Sequence, residues 1–218
     1  MKYMQMVGVP FQTTPYSRFI SRMMSKQGGG LGGGWTMKTG MYTSRNPTKP
    51  LGYENEDSCS VGSRYICVAD GVGGWITQGI SSATFSRELV KNIELAVHQA
   101  QSGKPNFDRE KFIDLVNRSY EMTRFANIVG SSTLCLVYLE DGKLHVFNLG
   151  DSKCIIYRRS SRQVLFESEI QQHNFNTPFQ LGTGSVDTPY NAEYTMLEGL
   201  EAGDTIIVAT DGLWDNIA

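Results

Sequence analysis

In three places an apolar, strand-like run of this sequence leads into an aspartate, and glycine or serine follows. These aspartates are Asp70, Asp151 and Asp211, and a further acidic pair is Glu56-Asp57. A carboxylate at the end of a buried strand is held by the sheet yet faces water, and a following glycine lets a backbone carbonyl approach a ligand. Divalent Mg²⁺ and Mn²⁺ prefer such oxygen ligands. The pattern predicts a metal site at which two ions, about 4 Å apart, could promote attack of water on a phosphate ester.

An alternative interpretation of each aspartate is a simple turn, because Asp-Gly after a strand is a common turn sequence. Spacing along the chain does not show that the aspartates meet in space. Their number favours a metal, since carboxylates that converge without Lys or Arg repel one another unless a cation lies between them.

The elements that must position these aspartates are short strands and two helices. Apolar residues at helical spacing predict helices over 82–101 and from an Asp108 cap to about 126. Asp141-Gly142 predicts a hairpin turn. This mixture predicts an α+β fold with helices packed on antiparallel sheets. Strands are predicted at 65–69, 133–139, 144–149, 154–158, 164–167 and 205–210.

The charge is unevenly distributed over the 218 residues. The first 53 residues carry seven basic side chains and no acidic one, so the rest of the chain holds 13 basic and all 22 acidic side chains. An acidic body is a poor nucleic-acid binder, and we expect no nucleic-acid partner. No apolar run approaches the roughly 18 residues that a membrane span requires.

The four cysteines lack CxxC spacing, and three of them lie in apolar runs. This pattern is typical of reduced, buried thiols in an intracellular protein.

The amino-terminal segment 1–27 is basic. Arg18, Arg22 and Lys26 follow one another at four-residue spacing and would share one face of a helix that begins near Ser17. An acid-free amphipathic helix of this kind is typical of mitochondrial targeting peptides, and a disordered basic tail is an equal alternative. Residues 28–34, almost all glycine, predict a flexible linker. The folded domain is expected to cover 35–218.

Five blocks of the sequence, taken in order, resemble the metal-dependent serine/threonine phosphatases of the PP2C type. One of them is the Asp-Gly-Val-Gly-Gly-Trp stretch that begins at Asp70, which resembles the metal-binding motif of that family. Together the blocks cover about residues 50–218. They are 56–57, 68–75, 130–133, 148–152 and 209–216.

The resemblance implies a four-layer α-β-β-α sandwich and at least two Mn²⁺ or Mg²⁺ ions. It implies that Asp57, Asp70 and the Gly71 carbonyl bind the central ions, that Asp211 completes one site, and that Asp151 binds a weaker third ion. The implied reaction is hydrolysis of phosphoserine or phosphothreonine in protein substrates by metal-bound hydroxide, and a monomer is expected. Relatives have a further carboxyl-terminal region with another metal-binding Asp. An inactive fragment or a non-catalytic regulator with this fold is therefore the alternative.

Two features resemble the mitochondrial PTC7-like branch of that family, which implies a mitochondrial location, with the cytoplasm as the alternative. One is Val72, where many relatives have a proton-donating His, and the other is the block 171–181. Arg45 is the nearest candidate for a phosphate-binding Arg, and no role is assigned to it. His145 lies on the polar side of an alternating strand and is predicted to be exposed. His173, within the block, is predicted to organise a loop rather than to catalyse.

Overall fold

The computed structural model of the protein describes residues 20–26, 34–44, 53–103 and 106–217. Arg45 and nearly all of the predicted linker lie outside these ranges. The strands are β1 (Ile20–Lys26), β2 (Trp35–Thr39), β3 (Asp57–Val61), β4 (Tyr65–Asp70), β5 (Ser131–Ser132), β6 (Leu134–Glu140), β7 (Lys143–Leu149), β8 (Lys153–Arg158), β9 (Gln163–Glu167), β10 (Gln172–Asn174), β11 (Thr177–Pro178), β12 (Leu181–Gly182), β13 (Glu193–Leu197) and β14 (Thr205–Ala209). The α-helices are α1 (Ala83–Gly103), α2 (Arg109–Phe125) and α3 (Asp211–Trp214), and 3₁₀ helices cover Gly73–Gln78 and Pro189–Asn191.

Two five-stranded antiparallel sheets form the framework. Sheet I has the strand order β2-β1-β14-β8-β9, and sheet II has the order β13-β7-β6-β4-β3. Two short pairs, β5 with β12 and β10 with β11, connect the loops at one end. The predicted α+β class is confirmed.

Sheet II is buried on both of its faces. Along β4, Tyr65 and Cys67 belong to a core cluster shared with the helices, and Ile66 and Val68 belong to a second cluster shared with sheet I. All seven residues of β6 are buried. Double burial explains why these strands read as continuous apolar runs rather than as alternating ones.

The helical layer consists of α1 and α2, which pack on sheet II through the first core cluster. The cap predicted at Asp108 is confirmed, because its carboxylate accepts a hydrogen bond from the Lys111 backbone N–H at 2.9 Å. Both long helices of the described ranges contact sheet II, so the described residues form three of the four predicted layers. No helix in this part of the chain is long and apolar enough to cross a membrane.

Two local predictions are confirmed. The hairpin between β6 and β7 turns at Asp141 and Gly142, whose φ angles of 46° and 86° are the left-handed values that this tight turn requires. The three cysteines in apolar runs, Cys67, Cys135 and Cys154, are buried free thiols.

The predicted amino-terminal helix is wrong over the described residues 20–26, which form strand β1. Its backbone pairs with β2 on one side and β14 on the other, for example at Ile20 with Val208 and at Lys26 with Trp35. The partner strand β14 is remote in sequence, so the local spacing of Arg22 and Lys26 does not indicate that this segment pairs with it. The sheet therefore begins upstream of the boundary expected at Trp35.

The predicted exposure of His145 is also wrong, because its side chain is fully buried. Helix α2 covers this face of β7, and the imidazole stacks on Phe112 at 5.3 Å between ring centroids. Its Nδ1 lies 2.8 Å from the Tyr194 hydroxyl, and its Nε2 lies 3.5 Å from a Glu140 carboxylate oxygen. Burial, and to a lesser extent the charge of Lys143, lowers the pKa of His145 to about 4.

We predict that His145 makes the fold acid-sensitive. An unfolded imidazole binds a proton below pH 6.5, but the folded one does so only near pH 4, so the free energy of unfolding falls as the pH drops through this window. The expected loss is about 3 kcal/mol. Urea unfolding across this range should show a shallower pH dependence for His145→Gln than for the wild type.

The matched control is His98→Gln, at an exposed position on α1. The pH dependence of the wild type alone does not isolate the contribution of His145, because burial also raises the pKa of the neighbouring Glu140. The slopes of wild type and variant are therefore compared. Equal pH slopes for wild type and His145→Gln would contradict the assignment.

Candidate metal centre

The antiparallel topology brings the predicted strand ends to one end of the sandwich. In sheet II, Asp57 at the start of β3 is the register partner of Asp70 at the end of β4. In sheet I, Ala209 at the end of β14 pairs with Lys153 at the start of β8. Asp151 and Asp211 therefore lie at the same end of this strand pair. The loop from β7 to β8 crosses between the sheets here.

Asp70 is held by hydrogen bonds from the strand beside it. Its backbone N–H donates to the Thr133 hydroxyl at 3.1 Å, and its carbonyl accepts from the Thr133 N–H at 2.9 Å and from the Ser132 hydroxyl at 2.9 Å. The Thr133 and Ser152 hydroxyls are 3.0 Å apart. Thr133 therefore links the Asp70 turn to the loop that carries Asp151.

Glycine is required at two positions beside these aspartates. A Cβ at Gly71 would lie 2.8 Å from the backbone oxygens of Glu56 and Ser82. Gly150 has a φ of 109°, and a Cβ there would lie 2.6 Å from the Thr133 side chain. Such contacts leave no room for a side chain, so these glycines let the two turns approach closely.

Asp70, Asp151 and Asp211 line one pocket of about 450 Å³. Gly71 and Val72 line the same pocket, as do four residues of a loop: Asn176, Thr177, Pro178 and Gln180. Asp57 instead borders a smaller cavity together with Thr210, the residue before Asp211. Three of the four predicted carboxylates thus line a common pocket, and the fourth borders a separate cavity.

The electrostatics of this pocket disfavour three ionised carboxylates. Asp151 is buried, and its Oδ2 accepts a hydrogen bond of 3.3 Å from Gln172. Burial, followed by the negative charge of Asp211, raises the pKa of Asp151 to about 6. Burial and Asp211 also raise the pKa of Asp215. A cation in the pocket would relieve this repulsion.

The residues fit a divalent cation in their chemistry, but their side chains do not converge on one point. The described residues contain no group of three or more His, Cys, Asp or Glu side chains that could hold a metal ion. Carboxylates spaced around a pocket suit Mg²⁺ or Mn²⁺, which usually keep several water ligands beside one or two carboxylates.

Several residues of the site were not assigned from the sequence. Gln172 and Gln180 lie in the block 171–181 and Asp215 lies in the block 209–216, but the sequence assigned no site role to them, and the fold brings them near the aspartates. The block 130–133 was found by resemblance alone, and the structure shows what it does: Ser132 and Thr133 hold the Asp70 backbone.

The chain is similar in sequence to protein phosphatases. The family model described as Protein phosphatase 2C matches residues 52–218. A Drosophila grimshawi protein named Protein phosphatase PTC7 homolog fig is 42% identical over 165 residues, which cover 71% of this chain and 52% of that protein. The Homo sapiens protein named Protein phosphatase PTC7 homolog is 32% identical, with 95% of this chain and 75% of that protein covered. The chain spans about half the length of several such relatives.

Solved structures with a similar fold are also phosphatases. The photosystem II phosphatase PBCP matches with a TM-score of 0.64 and 30% identity, over 75% of this chain and 62% of that one. The catalytic domain of the serine threonine protein phosphatase PstP, in complex with two manganese ions, matches with a TM-score of 0.58 and 17% identity, over 91% of this chain and 81% of that one. The second likeness bears on the fold alone.

We predict that Asp151→Asn stabilises the metal-free protein and weakens its response to Mn²⁺. The variant removes a buried charge that lies beside Asp211, so the melting temperature without metal should rise at pH 7.5. The gain should be below about 3 kcal/mol, the cost of raising this pKa by about two units. Thermal melts with EDTA and with millimolar Mn²⁺ measure both effects.

The control is Asp141→Asn, in the exposed β6–β7 turn, which should change neither melt. A metal-free Asp151→Asn protein that melts below the wild type would contradict the repulsion argument.

Proposed function

Since the chain belongs to the protein phosphatase 2C family, we propose that it forms most of the catalytic domain of a metal-dependent phosphatase, which hydrolyses phosphoserine and phosphothreonine in proteins. The observation that carries the proposal is the pocket shared by Asp70, Asp151 and Asp211. Carboxylates gathered at strand ends need a cation, and a cation beside open space can accept a phosphate oxygen.

We assign the metal ligands residue by residue. Asp70 and the Gly71 carbonyl would hold the central ions, Asp211 would complete the coordination of one of them, and Asp151 would hold a weaker ion. Asp57 is assigned to the central ions as well, through its register pairing with Asp70. Bound Mn²⁺ or Mg²⁺ would supply Lewis acidity for the attacking water and would offset the charge of the phosphate.

The protein itself contributes position and charge. Thr133 and Ser132 fix the Asp70 backbone, and the narrow turns at Gly71 and Gly150 keep the carboxylates from drawing apart. Fixed ligands of this kind hold substrate and water in a reactive geometry without reorganisation during the reaction.

The leaving alkoxide needs a proton, and Val72 cannot provide one. Val72 lines the pocket, where carboxylates are the only ionisable side chains among the described lining residues. We assign the proton donation to solvent water, which should make turnover slower for substrates with poorly acidic leaving groups.

A second candidate function is a non-catalytic regulator with the same fold. It is favoured by the finding that no three metal-binding side chains of the described ranges are grouped closely enough to hold an ion. Such a protein would bind phosphoproteins without turning them over.

We predict that Asp70→Asn abolishes phosphatase activity that depends on Mn²⁺. Loss of a ligand carboxylate should lower kcat/KM by more than about 100-fold, because both the bound ion and the polarised water depend on it. The measurement is phosphate release from a phosphothreonine peptide and from p-nitrophenyl phosphate with millimolar Mn²⁺.

Asp141→Asn serves as the control and should match the wild type. Full activity in Asp70→Asn would show that Asp70 is only a turn residue. A wild type that binds Mn²⁺ and phosphopeptide but releases no phosphate would favour the regulator.

The proposal includes a mitochondrial location. It rests on the acid-free first 53 residues with their seven basic side chains, a composition typical of mitochondrial targeting segments. A fluorescent fusion of residues 1–34 should enter mitochondria, and the same fusion with Arg18, Arg22 and Lys26 changed to Gln should not. Diffuse fluorescence from the first fusion would contradict the proposal.

A further inference from the structure

The segment 171–187 has no part in the assignment of ligands, although four of its residues line the same pocket as the aspartates. It contains the β10–β11 hairpin and the short strand β12, and it ends at Asp187. The segment contacts both turns that carry proposed metal ligands, and each contact can be followed atom by atom.

Asp187 is the centre of the hydrogen bonds within this segment. Its carboxylate is 5% exposed, and both of its oxygens lie 3.0 Å from His173 Nε2. Because a carboxylate only accepts, the imidazole is the donor. One oxygen also accepts from the Gln180 backbone N–H at 3.0 Å. The His173 ring stacks on Phe179 at 4.2 Å. The buried Asp187 carboxylate therefore binds both Gln180 and His173. From each of these residues a series of contacts, here called an arm, leads to the pocket.

The first arm leads from Gln180 to the turn after Asp70. The Gln180 side-chain oxygen accepts from the Ser131 hydroxyl at 2.6 Å, and that hydroxyl accepts from Trp75 Nε1 at 2.7 Å. Trp75 belongs to the 3₁₀ helix Gly73–Gln78, whose first residues line the metal pocket. The position of Gln180 is thus transmitted to this turn through two short hydrogen bonds.

The second arm leads from His173 to the turn that carries Asp151. The adjacent residue Gln172 donates to the Asp151 carboxylate at 3.3 Å. The backbone N–H of Gln171 donates to the Gly150 carbonyl at 2.9 Å. Fixing His173 therefore fixes the donor that orients one of the pocket carboxylates.

We propose that Asp187 is a positioning residue for the metal centre, and that it acts by locking Gln180 and His173 so that the turns beyond Asp70 and Asp151 are held at a set separation. Some residues do not bind a metal themselves but form hydrogen bonds that orient the side chains that do. Mutation of such a residue commonly lowers metal affinity by about 10- to 100-fold. This inference rests on the proposed function for its effect on Mn²⁺, but the mechanical link exists without metal.

The mechanical link can be tested on metal-free protein. The chain has three tryptophans, so incorporation of 5-fluorotryptophan gives three ¹⁹F resonances, and Trp75→Phe identifies the one from Trp75. In Asp187→Asn, the amide nitrogen cannot accept a hydrogen bond, so at least one of the bonds from His173 and Gln180 is lost. This loss should shift the Trp75 resonance in the same direction as Gln180→Ala. Asp141→Asn should leave it unmoved.

Coupling separates positioning from general destabilisation. If Asp187 acts through Gln180, the Asp187→Asn/Gln180→Ala double variant should give the Trp75 shift of Gln180→Ala alone. The Trp35 and Trp214 resonances should not move. An unmoved Trp75 resonance in Asp187→Asn, additive shifts, or equal shifts of all three tryptophans would overturn the proposal.

A milder variant keeps the test decisive if Asp187→Asn does not fold. His173→Phe retains the stacking on Phe179 and removes the donor to Asp187. A Trp75 shift in this variant supports the lock, and an unchanged resonance overturns it.

Metal binding tests the consequence. In calorimetric titrations, Asp187→Asn should bind Mn²⁺ at least about tenfold more weakly than the wild type. A wild type that binds no Mn²⁺ would reject the proposed function while leaving the tryptophan result standing. Unchanged Mn²⁺ affinity in a variant whose Trp75 resonance has shifted would reject the positioning role alone.

Discussion

Sheet II is covered by helices on one face and by sheet I on the other, and this double burial fixes the strand ends from which the Asp70 and Asp151 turns leave. A strand packed on both faces cannot shift by one residue without moving its side chains into the wrong layer. The ends of β4, β6 and β7 are therefore held at fixed relative positions. The turns that follow these strand ends carry Asp70 and Asp151, so the positions of the two turns are fixed as well.

The site opposes the general tendency of folding to separate like charges. Asp151 is buried close to Asp211, and its pKa is raised for that reason. Glycines at 71 and 150 keep the turns tight where a side chain would push them apart. A cation bound in the pocket would convert this mutual repulsion into attraction.

The segment 171–187, part of which lines the pocket, is built differently from the sandwich. Its residues lie largely outside the two core clusters, so it depends on polar contacts rather than on apolar burial, and the Asp187 carboxylate accepts several of them. Hydrogen bonds to a buried charged group are stronger and more directional than neutral ones. This explains how a loop with short strands can have a defined shape beside the pocket.

The sequence by itself determined the local elements and the chemistry of the site. Apolar runs and caps identified the two long helices and six of the fourteen strands in the described residues, because these depend on neighbours a few residues away. Asp-Gly turns at strand ends identified Asp70 and Asp211. The tertiary structure alone decided three other points, namely the strand β1, the burial of His145, and the network around Asp187. Each depends on partners distant in the chain: β14 for β1, α2 for His145, and both His173 and Gln180 for Asp187. Such contacts leave no periodic pattern in the residues that make them, so only the folded chain reveals them.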